Sequence, residues 1–240
     1  MDHKHCVLIT GITKRLGLAL AHHFLDKGWQ VVGTYRSESE SLNSLWDKGA
    51  TLYQCDFQDM DAVNDLNAEI KLKHIRLRAV IHNASDWMPE GKGFPNEQVF
   101  DRMFNVHTKV PYLFNLNLRD NLRNLSNAEH LADIIHITDF VAEKGSKKHI
   151  AYAASKAALE NLTLSFAAAF APEIKVNSIA PALLKFNEGD DDEYKQKAVK
   201  KASLPWEGGF EEAIATVEYL LESKYVTGRI LNLDGGRHIK

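Results

Sequence analysis

Seven short runs rich in β-branched and apolar residues, at 5–10, 29–35, 51–55, 79–82, 133–138, 174–179 and 229–233, alternate along this chain with helical patterns at 16–27, 59–73, 100–122 and 153–170. That alternation constrains the fold more than any other feature. A strand, a helix and a further strand in one sheet require a crossover, which makes the strands parallel and, by handedness, puts helices on both faces. The expectation is an α/β protein: one domain over residues 1–240, built on a doubly wound seven-stranded parallel sheet. No Pro-, Gly- or Ser-rich linker, fixed-period repeat or low-complexity segment interrupts the pattern. With 240 residues, 45% of them hydrophobic, the chain can bury a sizeable core.

Several classes of function are disfavoured at once. A net charge of -3, with no basic stripe interleaved with aromatics, argues against nucleic-acid binding. The apolar run after Met-Asp-His-Lys-His-Cys ends at Thr10-Gly11, too short for an export signal or a membrane span, which predicts a cytoplasmic protein. Cys6 and Cys55 fall in strand-like segments and read as buried free thiols. The 11 histidines are scattered, so no metal site is expected. The acidic run 188–193 reads as a solvated loop leading into a helix at 193–201; its functional alternative is a mobile flap beside a site.

The first strand runs into Thr10-Gly11-Ile12-Thr13-Lys14-Arg15-Leu16-Gly17 and then a helix, the context of a dinucleotide site. Gly11 permits the turn, Gly17 lets the helix approach the sheet, and the helix N-terminus favours a pyrophosphate. After the second strand no carboxylate stands at the strand end. Arg36 and Ser37 are placed instead to meet a 2′-phosphate, which favours NADPH over NADH, with Glu38 reaching the ribose as the alternative. Asp56 could accept from the adenine amino group or simply form a turn, and Asn83-Ala84-Ser85 offers small residues beside a flat nucleotide. Tyr152 and Lys156 stand one helical turn apart, so an ammonium beside a phenol should lower the phenol's pKa and give a proton donor usable near neutral pH.

Taken together, Thr10-Gly11 to Gly17, Asp56, Asn83-Ala84, Tyr152 with Lys156, Asn177-Ser178-Ile179-Ala180-Pro181 and Asp234-Gly235-Gly236 resemble the short-chain dehydrogenase/reductase family from end to end. The resemblance implies a Rossmann fold holding NADPH. Its cofactor contacts fall on Gly11, Lys14, Arg15 and Leu16 in the first turn, on Arg36 and Ser37, and on Asp56 and Phe57. Asn83, Ala84, Tyr152, Lys156 and Pro181 complete that set. Asp139 stands where the family normally has a serine, thirteen positions before Tyr152. With Lys14-Arg15-Leu16-Gly17 and with Trp87 after Ser85, it is similar to the pteridine reductase branch.

That branch implies NADPH-dependent reduction of a 7,8-dihydropterin, dihydromonapterin first and dihydrobiopterin or dihydrofolate more slowly. Asp139, Tyr152 and Lys156 would be catalytic, and Arg15, Ser85, Trp87, Asp139 and Tyr152 would line the pterin site. A carboxyl can engage the amino and ring N–H edge of a pterin where a hydroxyl would hold a carbonyl. Bland alternatives stay open: Asp139 as a strand-end carboxylate bonded to a loop, Trp87 as a loop aromatic closing the core, and Arg15 as a solvated first-turn cation. His107, where the family uses asparagine, could be structural or could shuttle protons. The rival functions are a ketone or β-ketoacyl reductase, which Asp139 opposes, and a non-catalytic NADPH-sensing regulator, which Tyr152 and Lys156 oppose. The family also implies a homotetramer formed through the helices near 100–122 and 153–170; Arg237 and His238, past the last strand, either stay within their own subunit or reach a neighbour's pocket, and both readings stay open.

Overall fold

Strands covered on both faces are near-continuous apolar runs. β1 (Cys6–Thr10), β4 (Ala79–His82) and β5 (Ala132–Ile137) are buried at every residue, and β6 (Ile174–Pro181) at all but its last. A computed structural model describes residues 5–91, 93–125 and 131–240. Residues 1–4, which open the segment read as too short for export, lie outside the described residues. With β2 (Gln30–Tyr35), β3 (Thr51–Gln54) and β7 (Ile230–Leu233), the strands form one parallel sheet in the order β3-β2-β1-β4-β5-β6-β7. Every predicted strand is present within two residues of its expected ends.

The helices are α1 (Arg15–Asp26), α2 (Ser41–Asp47), α3 (Met60–Lys73), α4 (Asn96–Phe104), α5 (Val110–Asn117), α6 (Arg119–Arg123), α7 (Val141–Lys144), α8 (Ile150–Phe170), α9 (Asp192–Val199) and α10 (Gly209–Glu222). Alternate strand residues feed two cores. Cys6 and Leu8 pack with Val63 and Ile70 of α3, Phe114 of α5 and Phe166 of α8. Val7 and Ile9 pack with Leu20 and Phe24 of α1 and Val217 and Leu220 of α10. Cys6 and Cys55 are buried and free. Among the described residues no helix is long and apolar enough to cross a membrane, and no group of three His, Cys, Asp or Glu side chains is placed to hold a metal.

Two helical expectations need correction. The stretch 100–122 is not one helix: α4 passes through a π turn, Asn105–Lys109, into α5, and Leu118 separates α5 from α6. Pro111 lacks the N–H that an α-helix would donate to residue 107, and the ladder widens beside it, with the Val110 N–H donating to the Asn105 carbonyl. The acidic run is loop only as far as Asp191, which caps α9 by accepting from the Tyr194 N–H at 2.7 Å, so α9 begins and ends slightly before the expected 193–201. Neither α2, α7 nor α10 is among the four helices read from periodicity, although α10 buries Ala213, Val217, Leu220 and Leu221 at regular helical spacing.

At the end of the sheet remote from the strand C-termini, Asp133 is fully buried between Arg78 Nη1 at 2.5 Å and Lys175 Nζ at 2.7 Å. The two cations also donate to the Leu221 and Leu220 carbonyls, both at 2.5 Å, and so tie the end of α10 to β5 and β6. Removing the shared carboxylate leaves two buried cations unpaired. Asp133→Ala should therefore lower the unfolding free energy by about 3–5 kcal/mol in urea denaturation. Turnover at a temperature where the variant is folded should stay unchanged.

Candidate active site

The strand order reverses between β1 and β4, and a cleft of about 810 Å3 opens there, outside the strand C-termini. Its nucleotide end is built by the turn after β1. A Cβ on Gly11 would lie 2.7 Å from the Ala84 Cα, and one on Gly17 2.2 Å from the Gly11 carbonyl oxygen and 2.5 Å from Asn83 Nδ2. Gly17 thus makes room for the turn and Asn83 rather than for the sheet as a whole. Ile12, bulky for such a turn, is fully buried in the core beneath α1. Asn83 donates from Nδ2 to the Thr10 and Gly11 carbonyls at 3.0 and 2.9 Å, so it clamps β4 to the turn. At the start of α1, Lys14 provides no side-chain cap and the first turn carries no acidic residue. Free N–H groups and the positive end of the helix dipole, lined by Lys14, Arg15 and Leu16, fit a pyrophosphate.

Arg15 lines the cleft and is also tied across it. It adopts φ +53°, uncommon for a residue with a side chain, and its guanidinium donates to the Lys185 carbonyl at 2.6 Å and Asn187 Oδ1 at 2.8 Å while lying 5.9 Å over the Phe210 ring. Exposed as it is, it straps the first turn to the segment after β6. Arg36 and the exposed Ser37 line the cleft mouth, and Arg36 Nη1 donates to Asp86 Oδ2 at 2.7 Å. Glu38, the alternative ribose ligand, is engaged by the Tyr35 hydroxyl, whose pKa is pushed up first by burial and then by that carboxylate. Asp56 lines the cleft and accepts from the Gln58 N–H at 3.1 Å, the hydrogen bond of a turn-forming aspartate. Phe57 reaches the cleft wall but is a core residue packed edge-on to Phe114. Pro181 closes β6 at the cleft and accepts from the Phe140 N–H at 3.0 Å.

At the reaction end, the Tyr152 hydroxyl donates to Asp139 Oδ2 at 2.8 Å, and Asp139 Oδ1 accepts from the Val141 N–H at 2.9 Å. Asp139 is thus both the loop-bonded strand-end carboxyl and a group facing the cleft. Burial pushes its pKa upward against the pull of the Val141 N–H, Tyr152 and Lys156. The expected lowering of Tyr152 by Lys156 is not found. Burial, then the Asp139 charge, pushes the phenol well above its ordinary value. Lys156 Nζ donates to the Ile137 carbonyl at 2.9 Å and stays 5.7 Å from the ring centroid, and burial lowers its own pKa to about 8. The proton resides on a phenol–carboxyl pair, not on an activated phenolate.

His107 is buried and bonded at both ring nitrogens. Its Nε2 accepts from the Asp86 N–H at 3.2 Å and contacts the Ser85 hydroxyl at 2.9 Å, which leaves the Nδ1 proton to donate to Ser155 Oγ at 2.9 Å. Burial, then Lys156, holds its pKa well below the ordinary value, so burial favours the neutral ring. Trp87 is 57% exposed, lines the cleft and packs its ring 4.4 Å from that of His149; it does not close the core. His238 is bonded to Asp234 of its own chain at 2.8 Å, and the Arg237 charge acts on its own chain's Asp139. Sequence reasoning missed Asp86, whose only signal is its place between Ser85 and Trp87. It also missed Phe186, Tyr194 and Phe210, cleft aromatics from the segment after β6 and from α9 and α10.

A family model described as enoyl-(acyl carrier protein) reductase matches residues 11–238. The chain is 48% identical over 234 residues to a dihydromonapterin reductase of Klebsiella pneumoniae, covering 98% of this chain and 97% of that one. It is 49% identical over 234 residues to the Escherichia coli O6:K15:H31 dihydromonapterin reductase, with the same coverage. Among solved structures, FolM alternative dihydrofolate reductase 1 from Brucella canis, complexed with NADP, superposes with a TM-score of 0.83 at 28% identity, covering 98% of this chain and 94% of that one.

The lowered pKa of Lys156 has a consequence for stability. Between about pH 8, its folded value, and its ordinary 10.5, the unfolded chain keeps a proton that the folded protein has released. The contribution of Lys156 is therefore fully present above 10.5 and lost as pH falls through about 8. Urea titrations of the wild type and Lys156→Met should show the wild type gaining on the variant across that window, by about 3 kcal/mol in total.

Proposed function

Because the chain belongs to the short-chain dehydrogenase/reductase family, we propose that it is an NADPH-dependent oxidoreductase reducing the C=N bond of a 7,8-dihydropterin. Dihydromonapterin is its principal substrate, with slower turnover of dihydrobiopterin and dihydrofolate. Near-complete coverage at 48–49% identity to dihydromonapterin reductases supports the substrate, and the NADP complex of the Brucella structure supports the cofactor. The observation that carries the reading is the Asp139 carboxyl turned into the cleft at 2.8 Å from the Tyr152 hydroxyl.

NADPH, when bound, supplies the hydride that reaches C6 of the pterin. The chain's own residues do the rest. The α1 N-terminus and Lys14 hold the pyrophosphate, and Arg36 with Ser37 binds the 2′-phosphate. Lys156 positions the nicotinamide ribose from a buried seat fixed by the Ile137 carbonyl. Asp139 accepts from the amino and ring N–H edge of the pterin. The phenol–carboxyl pair keeps a proton near N5, because burial disfavours the charged form of each partner. Trp87, exposed at the cleft, offers the apolar face against which the bicyclic ring packs, and Ser85 and Arg15 help orient it. A serine in place of Asp139 would suit a ketone, and a non-catalytic NADPH sensor would have no use for this proton pair.

The same reading includes a cytoplasmic homotetramer assembled through α4, α5 and α8. Phe100, Tyr112, Leu116 and Leu164, large apolar side chains exposed on those helices, support it.

Asp139→Ser should cut kcat for dihydromonapterin by roughly 10²–10⁴, the usual range for losing a positioned acid, with the circular dichroism spectrum retained. A spectrophotometric panel of dihydropterins, dihydrofolate and simple ketones with both nicotinamide cofactors tests the substrate class. Full turnover of Asp139→Ser, or a preference for ketones, overturns the assignment. Arg36→Asp should raise the Kd for NADPH at least tenfold in a fluorescence titration, because a charge-assisted fork to a dianion is replaced by a like charge. Unchanged affinity overturns the 2′-phosphate role.

A further inference from the structure

Asp86, four residues past β4, gathers more of the site than any residue read from the sequence. Its Oδ2 accepts from Arg36 Nη1 and from Arg102 Nε, both at 2.7 Å. Its Oδ1 accepts from the Trp87 N–H at 2.9 Å, and its own N–H donates to His107 Nε2 at 3.2 Å. The side chain is only 15% exposed, whereas Arg36 is 46% exposed and reaches the cleft mouth. One carboxylate thus touches both the guanidinium that reads the cofactor's 2′-phosphate and the backbone of the aromatic that packs on the pterin. A guanidinium offers five N–H donors in a rigid plane. When its outer edge turns to a phosphate dianion, its inner edge must adjust against Asp86, and with Asp86 moves the anchor of Trp87.

We propose that Asp86 is a positioning residue that couples the two halves of the cleft, so that a 2′-phosphate on Arg36 sets Trp87 for the pterin ring. The inference rests on the pterin reading above and deepens it. The affinity for pterin then depends on a phosphate that never touches the pterin. Selection for NADPH is thereby expressed in substrate binding as well as in cofactor binding. Such coupling is reciprocal, so a pterin also tightens NADP+ relative to NAD+.

The test is calorimetric and needs no turnover. Methotrexate, a pteridine probe, is titrated into enzyme saturated with NADP+ and into enzyme saturated with NAD+, which differ only in the 2′-phosphate. The wild type should bind methotrexate roughly tenfold more tightly in the NADP+ complex, within the usual range of coupling between sites. In Asp86→Asn, which can still accept from the Trp87 N–H but loses the charge facing both arginines, the ratio should fall to near one. Asp86→Glu keeps the charge and the fold but displaces the oxygen that anchors Trp87, and its ratio should fall as well. A wild-type ratio of one, or a ratio unchanged in both variants with only the melting temperature lowered, would mean a merely structural Asp86 and would overturn the inference alone. An unchanged ratio in Asp86→Glu beside a loss in Asp86→Asn would overturn the Trp87 arm. Failure of the wild type to bind methotrexate with either cofactor would overturn the pterin reading itself.

Discussion

Seven parallel strands buried on both faces leave one place where crossovers part, the seam between β1 and β4, and everything chemical in this protein is arranged around it. Helices leave the sheet in opposite directions on either side of that seam, so the strand C-termini there stay uncovered. The first turn, the segment after β4 and the end of β5 all open into it, which is why Arg15, Asp86 and Asp139 share one cleft although they lie far apart in sequence. Asn83 holds the seam shut below the cleft through the Thr10 and Gly11 carbonyls. The α1 N-terminus above it can then face an anion.

Burial, more than any pair of charges, decides where protons sit. Beneath the cleft, His82 Nε2 donates to Asn115 Oδ1 at 2.8 Å, Asn115 Nδ2 donates to His136 Nε2 at 3.1 Å, and His136 Nδ1 donates to Thr163 at 2.7 Å. Thr163 Oγ1 in turn donates to the Leu159 carbonyl at 3.0 Å. Each ring in this chain has one fixed tautomer. Desolvation brings His82 down to about 4 and His136 well below its usual value. The same effect keeps His107 neutral, lowers Lys156, and raises Asp139 and Tyr152. A neighbouring ammonium was the natural sequence-based source of an activated tyrosine. In the folded protein the phenol instead gives its hydrogen bond to a carboxyl whose ionisation burial opposes.

Chain order alone made the strands legible, because each is a short apolar run between helical patterns. Helical spacing, which is local, also placed Tyr152 and Lys156, whereas Asp139 was singled out only by the family resemblance, at the position of its usual serine. The π turn at Asn105–Lys109 was less legible, since Pro111 near the start of a periodic stretch can mark a kink, a break or a first turn. α10 carries a readable period and was still not among the helices taken from it. Asp86 had no signal except its neighbours: a carboxylate in a loop is ordinarily a solvated turn residue.

The sequence by itself determined the architecture and the kinds of group available, because hydrophobic period and short motifs depend on residues close in the chain. Only the tertiary structure decided which groups met. Arg36 finds Asp86, fifty residues away, and Arg15 finds Lys185 and Asn187 across the cleft. Asp139 reaches Tyr152 from the end of a different element. Such partnerships, and the pKa values they set with burial, depend on desolvation and distance, and these exist only once the sheet has brought its strand ends together.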